Sequence, residues 1–134
     1  MLRRGAHVGD PGDLKFVKTG EWVRVEQDGT ATVGLSDRAQ ASLGDVVYVD
    51  LPKVGDSVQA ASSSAVVESA KGAQDVYAPV SGGVTAVNDV LADAPEAINE
   101  DPYGEGWIFK LTLSDKSELD QLLSPEDYAK AVES

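Results

Sequence analysis

Lys71 stands in Val66-Val67-Glu68-Ser69-Ala70-Lys71-Gly72-Ala73, with a second apolar run resuming at Val76-Tyr77-Ala78. Two runs of strand composition this close together read as a hairpin, with the lysine at its tip and solvent around its amine. General acid or base chemistry by a lysine needs a desolvated pocket, which a hairpin tip does not offer. Covalent attachment needs the opposite, an accessible nucleophile on a flexible stem. Four methylenes ending in an exposed amine meet that need, so the tip suits a tethered, swinging group. Gly72, Gly82 and Gly83 read as bends, because no phosphate-loop or dinucleotide pattern accompanies them.

The remaining chemistry-bearing residues narrow the field. The chain has no cysteine and a single histidine, His7, in a Gly/Asp/Pro segment. Thiol catalysis and disulfide scaffolding are excluded, and a Ser-His-Asp relay or histidine-rich metal site has almost no material. A formal charge of -12 over 134 residues argues against a nucleic-acid or acidic-membrane partner, since phosphates would be repelled, and leaves room for partners with basic docking faces. Nowhere is there a run of about eighteen apolar residues to span a membrane, and Arg3-Arg4 precede no apolar stretch of a secretory signal. The expected location is cytoplasmic.

The elements that must position Lys71 are mostly strands. Residues 1–13 read as a flexible leader and 14–134 as a single domain. Phe16-Val17-Lys18, Trp22-Val23-Arg24-Val25 and Thr30 to Leu35 have strand composition, the last two joined at Asp28-Gly29, a pair that favours a primed turn. Ser36 or Asp37 can cap a short helix over Arg38–Leu43, which Gly44 ends. Val46 to Val49 follows as a strand, then short strands around 57–60, 65–69, 76–78 and 83–87. Ala94 to Ile98 suits one or two helical turns, and Trp107 to Leu113 a final strand. Ser117 to Leu123 has helical composition, and Ser124-Pro125-Glu126-Asp127 opens a last helix with Ser124 as its cap. Short strands at regular spacing favour a mostly β sandwich or flattened barrel over a doubly wound sheet.

Six ordered stretches carry a resemblance: Gly20-Glu21-Trp22-Val23, Gly44-Asp45-Val46-Val47, Leu51-Pro52-Lys53-Val54-Gly55-Asp56, Val66 to Lys71, Tyr77-Ala78-Pro79-Val80-Ser81-Gly82, and Asn99-Glu100-Asp101-Pro102-Tyr103-Gly104-Glu105-Gly106-Trp107. Together they resemble the H proteins of the glycine cleavage system, over roughly residues 14 to 132. The chain departs from that family where Gly20 and Arg38 replace common histidines, and where Ala70 and Gly72 flank Lys71. The resemblance implies a lipoyl/biotinyl-type hybrid barrel-sandwich with short helices and a C-terminal helical extension. It also implies that Lys71 carries (R)-lipoic acid in amide linkage; Glu68, three residues before it, is then a candidate recognition contact for the lipoyl-attaching enzyme.

By the same resemblance the chain is a carrier, not a catalyst. It would take an aminomethyl group from a pyridoxal-phosphate glycine decarboxylase (P protein) to a tetrahydrofolate-dependent aminomethyltransferase (T protein). A dihydrolipoyl dehydrogenase (L protein) would then reoxidise the arm. Extended, a lysyl-lipoyl arm reaches about 14 Å, enough to join separate active sites. The ammonium of a loaded arm would favour an acidic or carbonyl-rich cleft, which the sequence does not locate. The nearest alternative is a general lipoyl carrier serving a 2-oxoacid dehydrogenase. A biotin carrier fits less well, because biotinyl lysines favour flanking methionines.

Overall fold

The computed structural model describes residues 14–133, so the leader expected over 1–13 lies outside the described residues. In chain order the elements are β1 (Lys15–Phe16), β2 (Glu21–Val25), β3 (Thr30–Leu35), α1 (Asp37–Leu43), β4 (Val46–Asp50), β5 (Ser57–Val58), β6 (Ser63–Ser69), β7 (Gly72–Tyr77), β8 (Gly82–Val87), α2 (Val90–Asp93), α3 (Ala97–Glu100), β9 (Phe109–Thr112) and α4 (Pro125–Glu133), with a 3-10 helix over Lys116–Gln121 before α4. Antiparallel pairing gives a six-stranded sheet, β1-β2-β3-β9-β8-β5, and a three-stranded sheet, β4-β6-β7.

The two sheets share one core. Val23, Val33 and Leu111 of the larger sheet and Val49, Val67 and Val76 of the smaller are all buried in it. The larger sheet is in register with Val23 opposite Val33 and Val33 opposite Phe109, which stacks large apolar side chains on its inner face. A second cluster, Leu14, Phe16, Trp22 and Tyr128, fastens α4 to β1 and β2. Within it the Phe16 and Tyr128 rings stack 4.6 Å apart.

The barrel component of the expected fold is overturned. The larger sheet ends at β1 and β5 and the smaller at β4 and β7, so neither closes on itself and the architecture is an open β sandwich with helical additions. The edges are satisfied by other means. Val46 of β4 donates its N–H to the Asn99 side chain at 2.9 Å, and Tyr77 of β7 donates to the Glu21 carboxylate at 2.9 Å. Phe16 of β1 exchanges two 2.8 Å backbone bonds with Leu123. Edge groups paired in this way need no further strand.

Three local expectations change. The β2–β3 turn is not a primed turn, because among the described non-glycine residues only Ala61 has positive φ. Gly29 takes φ +89 after a turn closed by its N–H on Glu26 O, and Glu26 N–H bonds Thr30 O. That is a type I turn with a glycine bulge. Of the helical turns expected over 94–98 only Ala97 and Ile98 are helical, in α3, while α2 ends before them; Pro95 excludes helical geometry from Ala94, at φ -135 and ψ 66. The helical stretch at 117–123 is a 3-10 helix started by the Asp115 side chain.

Candidate functional site

β6 and β7 pair from Ser63 opposite Tyr77 to Ser69 opposite Gly72, leaving Ala70 and Lys71 as the two-residue tip. Neither has positive φ. Gly72 absorbs the reversal at φ +135, a conformation side-chain-bearing residues rarely adopt. Ser69 staples the tip, its hydroxyl bonding Gly72 O at 3.3 Å and accepting Lys71 N–H at 3.2 Å. Lys71 is exposed, as the sequence predicts. Its Nζ also donates to Ser42 O at 3.1 Å.

Ser42 lies in the last turn of α1, whose own last turn has no basic residue. Helix carbonyls there lack intrahelical partners and form the negative end of the helix dipole, so the Lys71 ammonium acts as a tertiary cap. α1 is otherwise as expected: the Ser36 hydroxyl accepts Ala39 N–H at 3.0 Å and Gly44 ends the helix at φ +79.

Beside this helix is a cavity of about 210 Å³ whose walls include Glu21, Arg38, Ser42, Gln74 and Tyr128. Ser42 thus touches both the cavity and the Lys71 amine. Glu21 is 1% exposed, and both its hydrogen-bond donors, the Thr19 hydroxyl and Tyr77 N–H, are neutral. A buried carboxylate is costly without such bonds; Lys18 and Arg38 line the same cavity. α4 closes one side: the Tyr128 hydroxyl and Ser36 hydroxyl are 2.7 Å apart, and Arg38 Nη2 donates to Val132 O at 3.0 Å.

Gly20, at φ +113, packs against α1 so closely that a Cβ there would lie 2.7 Å from Ala39 Cβ. A side chain at this position would force the β1–β2 turn or α1 to shift. The Asp101–Trp107 loop is a buttress. Pro102 O accepts from the Trp22 indole at 3.1 Å alongside Leu35 O at 3.0 Å, and Tyr103 O accepts from Arg24 at 3.2 Å. Burial raises the Tyr103 phenol above its ordinary pKa, outweighing the Asp37 N–H that its oxygen accepts.

Of the residues singled out from sequence, Lys71 contacts the cavity-lining residue Ser42, while Glu68 is exposed on the outer face of the three-stranded sheet, between Tyr48 and Ala73. The structure does not bring Glu68 and the cavity together. Sequence reasoning missed Glu21, Ser36, Arg38 and Tyr128 as one group. The only available hint was an acid beside Trp22 in a strand that buries both residues.

A family model described as glycine cleavage H-protein matches residues 14–134. The chain is 62% identical over 123 residues to a glycine cleavage system H protein of Xanthomonas euvesicatoria pv. vesicatoria, covering 92% of this chain and 94% of that one. It is 61% identical over the same length to the corresponding protein of Xanthomonas axonopodis pv. citri, with the same coverage. The crystal structure of a glycine cleavage system H protein from Mycobacterium marinum superposes with a TM-score of 0.85 at 35% identity, covering 93% of this chain and 100% of that one.

Proposed function

The chain belongs to the glycine cleavage H-protein family, and from that premise we propose that Lys71 is the residue that bears its lipoyl group. It is a lipoyl carrier of the glycine cleavage system, a component that presents a cofactor to enzymes and is not a catalyst itself. Bound as lipoyl-lysine, the cofactor supplies a five-membered ring disulfide, strained because its dihedral cannot reach the preferred value near 90°, and so open to reductive transfer of a one-carbon unit.

The observation that carries the Lys71 assignment is its place at a two-residue tip, exposed, with its amine on a carbonyl of a cavity-lining residue. Gly72 and Ser69 hold the tip so that the side chain projects. Ser42 O receives the amine while it is charged. Glu21 places a carboxylate in the wall of the cavity, which lies well within an arm's reach of about 14 Å. The cavity wall also limits water at that point.

The partners that fit this role are a pyridoxal-phosphate glycine decarboxylase, a tetrahydrofolate-dependent aminomethyltransferase, a dihydrolipoyl dehydrogenase and a lipoyl-attaching enzyme that uses Glu68 as a contact. Membership of the glycine cleavage system supports them. A cytoplasmic location accords with a working cycle that passes through a dithiol, which persists in a reducing compartment. Among the described residues no helix is long and apolar enough to cross a membrane.

Peptide mapping tests the assignment. Protein from cells with active attachment enzymes is expected to carry about 188 Da on the Lys71 peptide; about 226 Da would mark biotin instead. Lys71→Arg should abolish the adduct and glycine-dependent loading. An adduct on another lysine, or normal loading of the arginine variant, would overturn the assignment.

A further inference from the structure

We propose that the outer face of the three-stranded sheet, with Tyr48 at its β4 edge, is the docking surface for the enzyme that acylates Lys71, a partner presenting an apolar socket for that ring beside lysine or arginine side chains. This rests on Lys71 being the acylated residue.

β4 does not alternate in the ordinary way. Val46 and Val49 are buried, and the register shifts between Val46 and Tyr48. The bulge leaves two consecutive large side chains in solvent, Val47 at 61% and Tyr48 at 53% exposed. Strand pairing sets their surroundings. Tyr48 lies beside Glu68, and Glu68 beside Ala73; in the adjoining outward-facing row Asp50, Val66 and Asp75 stand side by side. Asp50, Glu68 and Asp75 are all exposed, and Val66 is half-buried. Tyr48, Val66 and Ala73 are therefore interleaved with three carboxylates on this face. β4, β6 and β7 contain no lysine, arginine or histidine.

Three like charges around exposed apolar area are unfavourable in the free protein and complementary to a basic rim. An aromatic anchor inside a polar ring is the usual make-up of the residues that dominate an interface. Position selects the occupant. Glu68 precedes Lys71 by three residues, at most about 10 Å of chain, and Tyr48 is in the same row. An enzyme that builds the amide must bring its acyl carbonyl to Nζ itself, and a lysine stem extends only about 6 Å. Its surface must then cover the flanks of the tip. Enzymes acting at the far sulfur end work through an arm of about 14 Å and need not touch this face.

The step served is acylation by an acyl adenylate. The amine attacks the activated carbonyl, the N–C bond forms, and the C–O bond to phosphate breaks. AMP leaves with the electron pair, and the two surplus protons of the ammonium pass to solvent.

The test uses unmodified full-length protein with a lipoate-activating ligase, lipoate and ATP. Tyr48→Ser should lower kcat/KM for acylation at least tenfold, mainly through KM. Asp50→Asn/Asp75→Asn should lower it about fivefold and flatten its decline with added salt. Asp120→Asn, exposed near the Ser81–Glu118 contact beyond the far end of β7, should change nothing. Lys71→Arg protein, unable to react but with an intact face, should inhibit acylation of the wild type competitively. The same protein carrying Tyr48→Ser, or carrying Asp50→Asn/Asp75→Asn should the serine variant fail to fold, should not inhibit. Acylation of both face variants within twofold of wild type would overturn the surface and leave Lys71 intact as the attachment site. So would a Tyr48→Ser effect confined to glycine-dependent loading, or to self-association in sedimentation. Wild-type acylation mapped to a different lysine would instead overturn the premise.

Discussion

Replacing Glu21 with glutamine removes one negative charge from the cavity wall while keeping an oxygen opposite the Tyr77 N–H. The carboxylate is 1% exposed and accepts that N–H at 2.9 Å together with the Thr19 hydroxyl. A hydrogen bond to a charged group contributes about 1.5–3 kcal/mol and a neutral one about 0.5–1.5. The substitution thus forfeits about 1–2 kcal/mol. Relief of the carboxylate's desolvation offsets part of that. The expected net loss is about 1 kcal/mol, roughly 4 °C in Tm for a chain of this size. Glu21→Ala also leaves a void and strips Tyr77 N–H of its acceptor, and should cost about 2–4 kcal/mol.

The functional consequence should exceed the structural one. An ammonium about 4 Å from the carboxylate gains about 4 kcal/mol before desolvation at an effective dielectric constant near 20. If only a third of that survives, the remaining 1.4 kcal/mol is about tenfold in occupancy of the cavity. Lipoylated Glu21→Gln protein, loaded from glycine and separated from the decarboxylase, should release its one-carbon unit as formaldehyde about tenfold faster than wild type. A glutamine variant that stays folded and retains its load as long as wild type would refute the role given to Glu21.

Gly34→Ala should destabilise by about 1–3 kcal/mol or more, since its Cβ would lie 2.6–2.8 Å from three atoms of the fully buried Trp22 indole; a urea midpoint equal to wild type would contradict that packing. Glu68→Gln should slow ligase acylation several-fold with unchanged Tm, and unchanged acylation kinetics would remove Glu68 from the site. Tyr103→Phe probes alkaline stability. Because burial raises the folded-state pKa of Tyr103, its contribution is fully present below the unfolded value near 10 and is lost as pH rises through the folded one. The phenylalanine variant should lose less stability than wild type between pH 9 and 11 in urea titrations, and an identical decline would refute the assignment.

What could be read from the sequence was local chemistry. Ser36, Gly44 and Ser124 act as caps where their types and positions predict, and Lys71 is at a hairpin tip because two strand-forming runs flank it. β7 was only partly legible. Its first four residues, Gly72 to Asp75, are exposed and without apolar alternation, so their strand geometry comes from pairing with β6, not from burial of their own. The Asp-Gly signal at Asp28-Gly29 gave the reversal but not its type, because a glycine in the left-handed region serves either turn. The barrel alternative came from the spacing of short strands and from the resemblance, and neither fixes closure. Nothing in the strand pattern states whether an edge meets a strand or, as at β4 and β7, a side chain from elsewhere.

The cavity was illegible for a different reason. Its walls come from the β1–β2 turn, β2, β3, α1, β7 and α4, segments that no single spacing rule links. α1 is what makes them one site with the tip. Its Ala39 and Leu43 line the cavity, while its Ser42 carbonyl holds the Lys71 amine. That hold depends on charge at the negative end of a helix and fades once the amine becomes an amide. On the proposed assignment of Lys71, attachment of the arm weakens the contact that keeps the bare lysine against the helix, and the acylated side chain is freed to move between the enzymes and the cavity that Ser42 lines.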